Sequence, residues 1–181
     1  MKKANRLPNL AFTDIETTGL NRQKHEIIEI GLLIAKQPEL KIIDTWEAKI
    51  KPLNLRAADP AALKLTGYNS KDWELALQPK AALKAFSRKT KDCLLVAHNI
   101  AFDRPFLEDN FRRWNVPVKW DYHSLDTISL AYYKLGPGQK LRLSEIAKVL
   151  KIKREKEHAA MDDAMTCYKV FKKMISKSDL W

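Results

Sequence analysis

Glycine is scarce in this chain, five in 181 residues, and none of the five sits in a phosphate-cradling or dinucleotide-binding fingerprint; "GPG" at 136–138 reads as a loop. Nucleotide binding of the P-loop or dinucleotide-fold type is thereby excluded. The two cysteines, Cys93 and Cys167, lie in apolar surroundings and are too few for a zinc finger or a disulfide framework. They read as small buried hydrophobes in a reducing compartment. No stretch approaches the ~18 apolar residues of a membrane-spanning helix, and the N-terminal "MKKANRLPNLAF" lacks the apolar run of a signal peptide. A soluble, cytoplasmic protein with no membrane partner is expected. Repeats, low-complexity tracts and Gly/Ser linkers are also missing, so residues 1–181 read as one domain with its core in about 8–176.

Acid is in short supply relative to base. Lys and Arg number 33 against 22 Asp and Glu, a net charge of +11. Such a surplus favours a polyanionic partner, nucleic acid before membrane. Two basic groups stand out. Lys80 to Lys91 in "KAALKAFSRKTK" reads as a solvated face or as a contact surface. Lys148 to Lys156, with Lys169, Lys172 and Lys173, reads as a track for a phosphate backbone.

The pattern of elements runs strands first, then helices mixed with strands. "NLAFTDIE", "HEIIEIGLLIAK" and "LKIIDTWEAKIK" are rich in β-branched residues or alternate, and "QPE" marks a hairpin turn between the last two. "DPAALKLTG" predicts a short helix with Asp59 as N-cap, Pro60 at its first position and Gly67 at its end. "QPKAALKAFSRKT" predicts a second helix and "CLLVA" a buried strand. "DRPFLEDNFRRW" predicts a helix with Pro105 in its first turn, where no backbone N–H is needed. "LSEIAKVLK" and "AMDDAMTCYKVFKKMIS" have apolar residues at helical spacing. The fold class expected is α/β: a mixed sheet of about five strands, the first three an antiparallel meander, flanked by helices.

Four acids fit this scheme poorly as surface charge. Asp14 and Glu16 share one face of an otherwise apolar strand, because side chains alternate with period two. No Lys or Arg lies within five residues on either side. Asp103 follows "LLVAHNIAF" at the start of a helix and alone reads as an N-cap or as a ligand. In the last helix, Ala164, Cys167, Tyr168, Phe171, Met174 and Ile175 form the apolar stripe, and Asp163 falls on it. Asp162 is rotated about 100° away, in line with Thr166, Lys169 and Lys173. A carboxylate so near a helix start is commonly only dipole-stabilised. Four inward carboxylates together would repel one another unless cations sit among them. Hard divalent ions with oxygen ligands, Mg²⁺ or Mn²⁺, are the usual solution.

"FTDIETTGL", "AHNIAFDRPFL" and "HAAMDDA", in that order and with a histidine five residues before the last Asp, resemble the three motifs of the DEDDh group of 3′–5′ exonucleases. The resemblance extends over about residues 8–176 and takes in "IIEIG", "PLNLRAADPAALKLTG" and "DTISLAYYKLGPGQKLRLSEIAKVLKI". It implies a ribonuclease H-like fold and two divalent metal ions. Asp14 would bridge both, Glu16 and Asp163 would complete one site, and Asp103 would serve the other. His158 would be the general base that deprotonates the attacking water, an imidazole with pKa near 6.5 suiting that task. Thr17, Thr18, Gly19 and Leu20 would contact the terminal nucleotide through backbone and apolar side chain, Gly19 having also the plain reading of a turn residue. His98 and Asn99 would position the loop or the substrate. Phe102 could stack on a base, though core packing explains it as well. His25 and His123 have no matching context and read as surface residues.

The implied activity is release of nucleoside 5′-monophosphates from 3′ ends. "ETTGL" is similar to the motif of the epsilon subunit of DNA polymerase III, which favours single-stranded DNA; ribonuclease T and oligoribonuclease share the catalytic set, which leaves RNA as the alternative. A polymerase or another nucleic-acid-processing partner is implied, although no segment after the last helix resembles epsilon's polymerase- or clamp-binding tail. A catalytically silent nucleic-acid-binding module is the third reading, and retention of all five site residues argues against it.

Overall fold

β-Branched and apolar runs in the N-terminal half assemble the centre of the sheet. The computed structural model describes residues 7–154 and 159–176. Strands β1 (Leu10–Thr17), β2 (Ile27–Lys36) and β3 (Lys41–Lys49) form an antiparallel meander. β4 (Leu94–Ala97) and β5 (Ser124–Asp126) add in parallel on the other side of β1, giving the order β3-β2-β1-β4-β5. Helices α1 (Pro60–Thr66), α2 (Pro79–Lys89), α3 (Ile100–Arg113), α4 (Thr127–Leu135), α5 (Leu143–Val149) and α6 (Ala160–Met174) complete the α/β fold. Among the described residues no helix is long and apolar enough to cross a membrane.

Period-two alternation along β1 feeds two cores. Ala11 and Ile15 join Phe86 of α2, Phe106 and Phe111 of α3, and Trp120 on one face. Leu10 and Phe12 meet Cys167, Tyr168 and Phe171 of α6 on the other. The Phe12 ring stands edge-on to Tyr168 at 5.3 Å and to Phe171 at 5.4 Å. Burying such a ring contributes about 1.5–3 kcal/mol, more than any single exposed contact, so Phe12 sets where α6 sits on the sheet.

Several local expectations hold. Asp59 caps α1 by accepting from the Ala61 N–H, Pro60 opens that helix and Gly67 closes it in the left-handed conformation. Both cysteines are buried free thiols, and burial pushes Cys93 up to about 11. Others need correction. α3 begins at Ile100, three residues before Asp103, which places Pro105 beyond the first turn. The carbonyl its missing N–H would have met belongs to Ala101, an exposed residue, so water can satisfy it. On α6, Thr166 is buried and Ile175 exposed, the reverse of the expected stripe. The helix packs on two surfaces: Cys167, Tyr168 and Phe171 face the sheet, while Val170 and Met174 meet Ala131 of α4 and Ile146 of α5. Thr166 keeps its hydroxyl satisfied by donating to the Asp162 carbonyl.

The start of α6 is pressed against β2. A Cβ built on Gly31 would lie 2.2 Å from the Ala160 carbonyl oxygen and 2.4 Å from the Met161 nitrogen. Backbone on both sides leaves no flexible side chain to yield. Gly31→Ala should therefore destabilise the protein by about 1–3 kcal/mol, as overpacking does. Urea unfolding measures it; unchanged stability would mean that α6 does not rest on β2 at this point.

Candidate active site

β1, β4 and β5 run parallel, and their carboxyl ends open at one edge, beside the junction where the antiparallel part of the sheet begins. Crevices for ligands form at such edges. β1 brings Asp14 and Glu16 there, on the face that carries Phe12 further back. α6, fixed over Phe12 by Tyr168 and Phe171, holds Asp163 in its first turn above the acidic half of the same face. Ligand oxygens of Asp14, Glu16 and Asp163 all lie within 4.8 Å of one another. Asp163 is buried, whereas Asp162 turns to a separate surface cleft with Lys153 and Lys169.

Asp103 arrives from α3 and is held by the sheet itself. β1 pairs with β4 only from Leu10 to Phe12, because the chain leaves β4 for α3. The Ile15 N–H therefore lacks a strand partner on that side and donates to Asp103 Oδ1 at 3.1 Å. Asp103 is 3% exposed. Burial, opposed by that hydrogen bond, pushes its carboxyl up to about 8. Burial and the charge of Asp163 raise Glu16 to about 7, and burial with the charges of Asp103 and Asp163 holds Asp14 well above the usual carboxylate range. The donor set is thus all oxygen, crowded and short of positive charge, and it fits a hard divalent cation.

Hydroxyls of the β1–β2 turn are used within the turn. Thr17 donates to the Gly19 carbonyl, and Thr18 Oγ1 accepts from the Glu26 N–H. The Thr18 N–H and carbonyl are also bonded, to Glu26 and to the Asp59 N–H. Gly19 is packed under the His25 ring, which is half-buried there and so is not a plain surface residue. Leu20 is 81% exposed, so its side chain is open to another molecule.

His98 is engaged at both ring nitrogens. Nε2 lies 2.8 Å from the Leu141 carbonyl, so it carries the proton, and Nδ1, 2.9 Å from Thr127 Oγ1, accepts. Burial lowers its pKa and keeps it neutral. It ties the end of β4 to the segment before α5. Asn99 is exposed, in the left-handed conformation, with its N–H donated to Asp126. Phe102 is half-buried against Phe106, a packing role. The general base expected at His158 lies outside the described residues.

Of the expected track, Lys148, Lys151, Lys153 and Lys169 are exposed, and Lys156 lies outside the described residues. Lys80, Lys84 and Arg88 lie exposed on α2, which packs on the sheet face opposite α6. Lys173 donates to the Leu150 carbonyl and Lys172 to the Tyr168 hydroxyl, so both are turned to the protein. Arg154 points into the site, its Nη2 2.5 Å from Asp163 Oδ1. It lines a cleft of about 640 Å³ together with His98, Asn99, Arg142, Ser144 and Asp163.

Two further acids escaped the sequence reading. Glu29, opposite Glu16 in the β1–β2 ladder, accepts the Ala160 N–H and so caps α6, whose own N-cap Ala159 cannot. Its charge also raises Asp14 and Glu16. Asp126 caps α4 through the Ile128 N–H and pins Asn99. "IIEIG" and the Asp-Thr step were the signals available, but neither announces a partner in another element.

A mixed sheet of this order with paired carboxylates at the end of its central strand is the ribonuclease H-like arrangement. The chain belongs to the exonuclease family: the ribonuclease T family model, described as an exonuclease, matches residues 11–171. It is 32% identical over 164 residues to the PolC-type DNA polymerase III of Caldanaerobacter subterraneus subsp. tengcongensis, covering 91% of this chain and 11% of the relative. It is 29% identical over 171 residues to the 3′–5′ exonuclease DinG of Staphylococcus epidermidis, covering 94% of this chain and 18% of the relative. The chain therefore spans less than a fifth of either relative. In fold it is similar to E. coli exonuclease I in complex with a dT13 oligonucleotide, with a TM-score of 0.80 and 20% identity over 92% of this chain and 40% of that one.

Crowding predicts a pH signature. Glu16, at about 7, holds in the folded protein a proton that the unfolded chain loses near its ordinary 4.5. The folded state then binds more protons, so this group lowers stability progressively as pH rises from about 5 to about 8. In chelator, Glu16→Gln should melt higher than wild type at about pH 8, with the gap closing towards about pH 5. A gap that is absent at the higher pH, or that widens in acid, would contradict the crowding.

Proposed function

We propose that the chain is a metal-dependent 3′–5′ exonuclease that removes nucleoside 5′-monophosphates from the 3′ ends of single-stranded DNA. The observation that carries this reading is the convergence of Asp14, Glu16 and Asp163 within 4.8 Å beside the buried Asp103. Membership of the exonuclease family supports it, as do a relative named 3′–5′ exonuclease and a fold neighbour bound to dT13. The PolC-type relative places the matching segment inside a polymerase, so a polymerase or other nucleic-acid-processing partner suits the same reading.

Asp14, Glu16, Asp103 and Asp163 would hold two divalent ions, Mg²⁺ or Mn²⁺. When bound, such ions supply positive charge at the attacking and leaving oxygens and acidify a bound water. The chain's own residues do the rest. The exposed Leu20 side chain offers an apolar surface to the terminal nucleotide. His98, held neutral, fixes the cleft wall rather than moving protons. His158, which the resemblance to the DEDDh group marks as the general base, accepts the proton of the attacking water and returns it to solvent.

A 5′-labelled single strand should shorten as a ladder from its 3′ end, only with divalent metal present, and faster than RNA of matched sequence. Cutting of a circular single strand, or full activity in excess chelator, would refute the mechanism; faster RNA cleavage would transfer it to an exoribonuclease.

The tandem aspartates give a sharper test. Asp163→Asn should nearly abolish turnover, while Asp162→Asn should stay within a few-fold of wild type and alter stability by roughly 0.3–1 kcal/mol through the helix dipole. His158→Ala should lose about 10²–10⁴ in rate with metal still bound. A dead Asp162→Asn beside an active Asp163→Asn would overturn the assignment.

A further inference from the structure

Arg154 sits on a carboxylate that the proposed reaction gives to metal. Its Nη2 is 2.5 Å from Asp163 Oδ1, and the two side chains are 13% and 10% exposed. A guanidinium and a divalent ion cannot both hold that oxygen at contact distance, because their charges repel in so dry a place. Arg154 lies outside any helix or strand, and the cleft it lines with Arg142, His98 and Asn99 gives the side chain somewhere to go. A planar fork of donors that has left a carboxylate matches the oxygens of a phosphate.

We propose that Arg154 is a place-holding cation. It neutralises Asp163 in the metal-free site and, displaced when metal takes that carboxylate, binds a non-bridging oxygen of the terminal nucleotide's phosphate in the cleft. This inference rests on the exonuclease reading above. Arg154 then couples the two ligands, since metal frees the group that the nucleotide needs.

Calorimetric titration of Mn²⁺, and then of thymidine 5′-monophosphate into the Mn²⁺-loaded protein, tests this on wild type, Arg154→Ala, Arg154→Lys and Arg142→Ala. Circular dichroism melts confirm that each variant is folded. Arg154→Ala should bind Mn²⁺ at least about fivefold more tightly and, once loaded, bind the nucleotide about tenfold more weakly. Arg154→Lys keeps the charge without the fork, so it should weaken the nucleotide while leaving Mn²⁺ near wild type. Arg142→Ala removes the same charge from the same cleft without touching Asp163, and should change Mn²⁺ affinity by less than about twofold. Unchanged Mn²⁺ affinity in Arg154→Ala, or an equal gain in Arg142→Ala, overturns the displacement and leaves the exonuclease reading intact. Wild type that binds no Mn²⁺, or binds it as well after Asp163→Asn, overturns both.

Discussion

Four carboxylates held at one end of one strand repel one another, and the protein must supply the force that keeps them together. Asp14 and Glu16 cannot separate, because they are two residues apart on β1. Asp103 and Asp163 come from helices and could be pushed away. Each is restrained by a contact that does not depend on its partner acids. Asp103 is tied to the Ile15 N–H, and α6 is clamped by aromatic packing on Phe12 about one to two turns beyond Asp163. Hydrophobic burial in one half of β1 thus offsets electrostatic strain in the other. Active sites commonly carry such strain, stabilised by the scaffold around them.

The same logic explains the crowded backbone at the start of α6. A helix N-terminus bears partial positive charge and favours nearby carboxylates. Bringing it close to Asp14 and Glu16 requires that no side chain intervene from β2, which is what Gly31 provides. Glu29 then fixes the approach by taking the Ala160 N–H. A fifth acid at the site therefore adds repulsion yet secures the geometry. Its position beside a helix end makes the exchange favourable.

Much of this was legible in the sequence because it is written locally. Period two put Asp14 and Glu16 on one face, helical periodicity separated Asp163 from Asp162, and Asp-Pro and Thr-Gly bounded α1. What escaped depends on partners remote in sequence. The N-cap rule looks for a polar residue at Ala159 and finds none, because Glu29 does that work from another strand. Pro105 suggested a helix start, but solvent at Ala101 lets the helix begin earlier. Thr166 and Ile175 were misplaced because one stripe cannot describe a helix packed on both a sheet and two helices. Arg154 belongs to a basic run that reads as a track for a phosphate backbone; only the fold shows it turned inward onto Asp163.

Charge of both signs is then sorted by depth. The chain is strongly basic, yet its site is acidic, and under the proposed function the two would serve one ligand class at different ranges. Long-range attraction to a polyanion comes from exposed lysines and falls off within a Debye length of about 8–10 Å in physiological salt. At contact distance a phosphate would meet carboxylates, which repel it. Against Asp14, Glu16, Asp103 and Asp163, a single guanidinium leaves the site negative, whereas two divalent ions would cancel the charge of all four. A strand drawn in by the surface would therefore settle only in a metal-loaded site, so that binding and competence for hydrolysis arise from one electrostatic change.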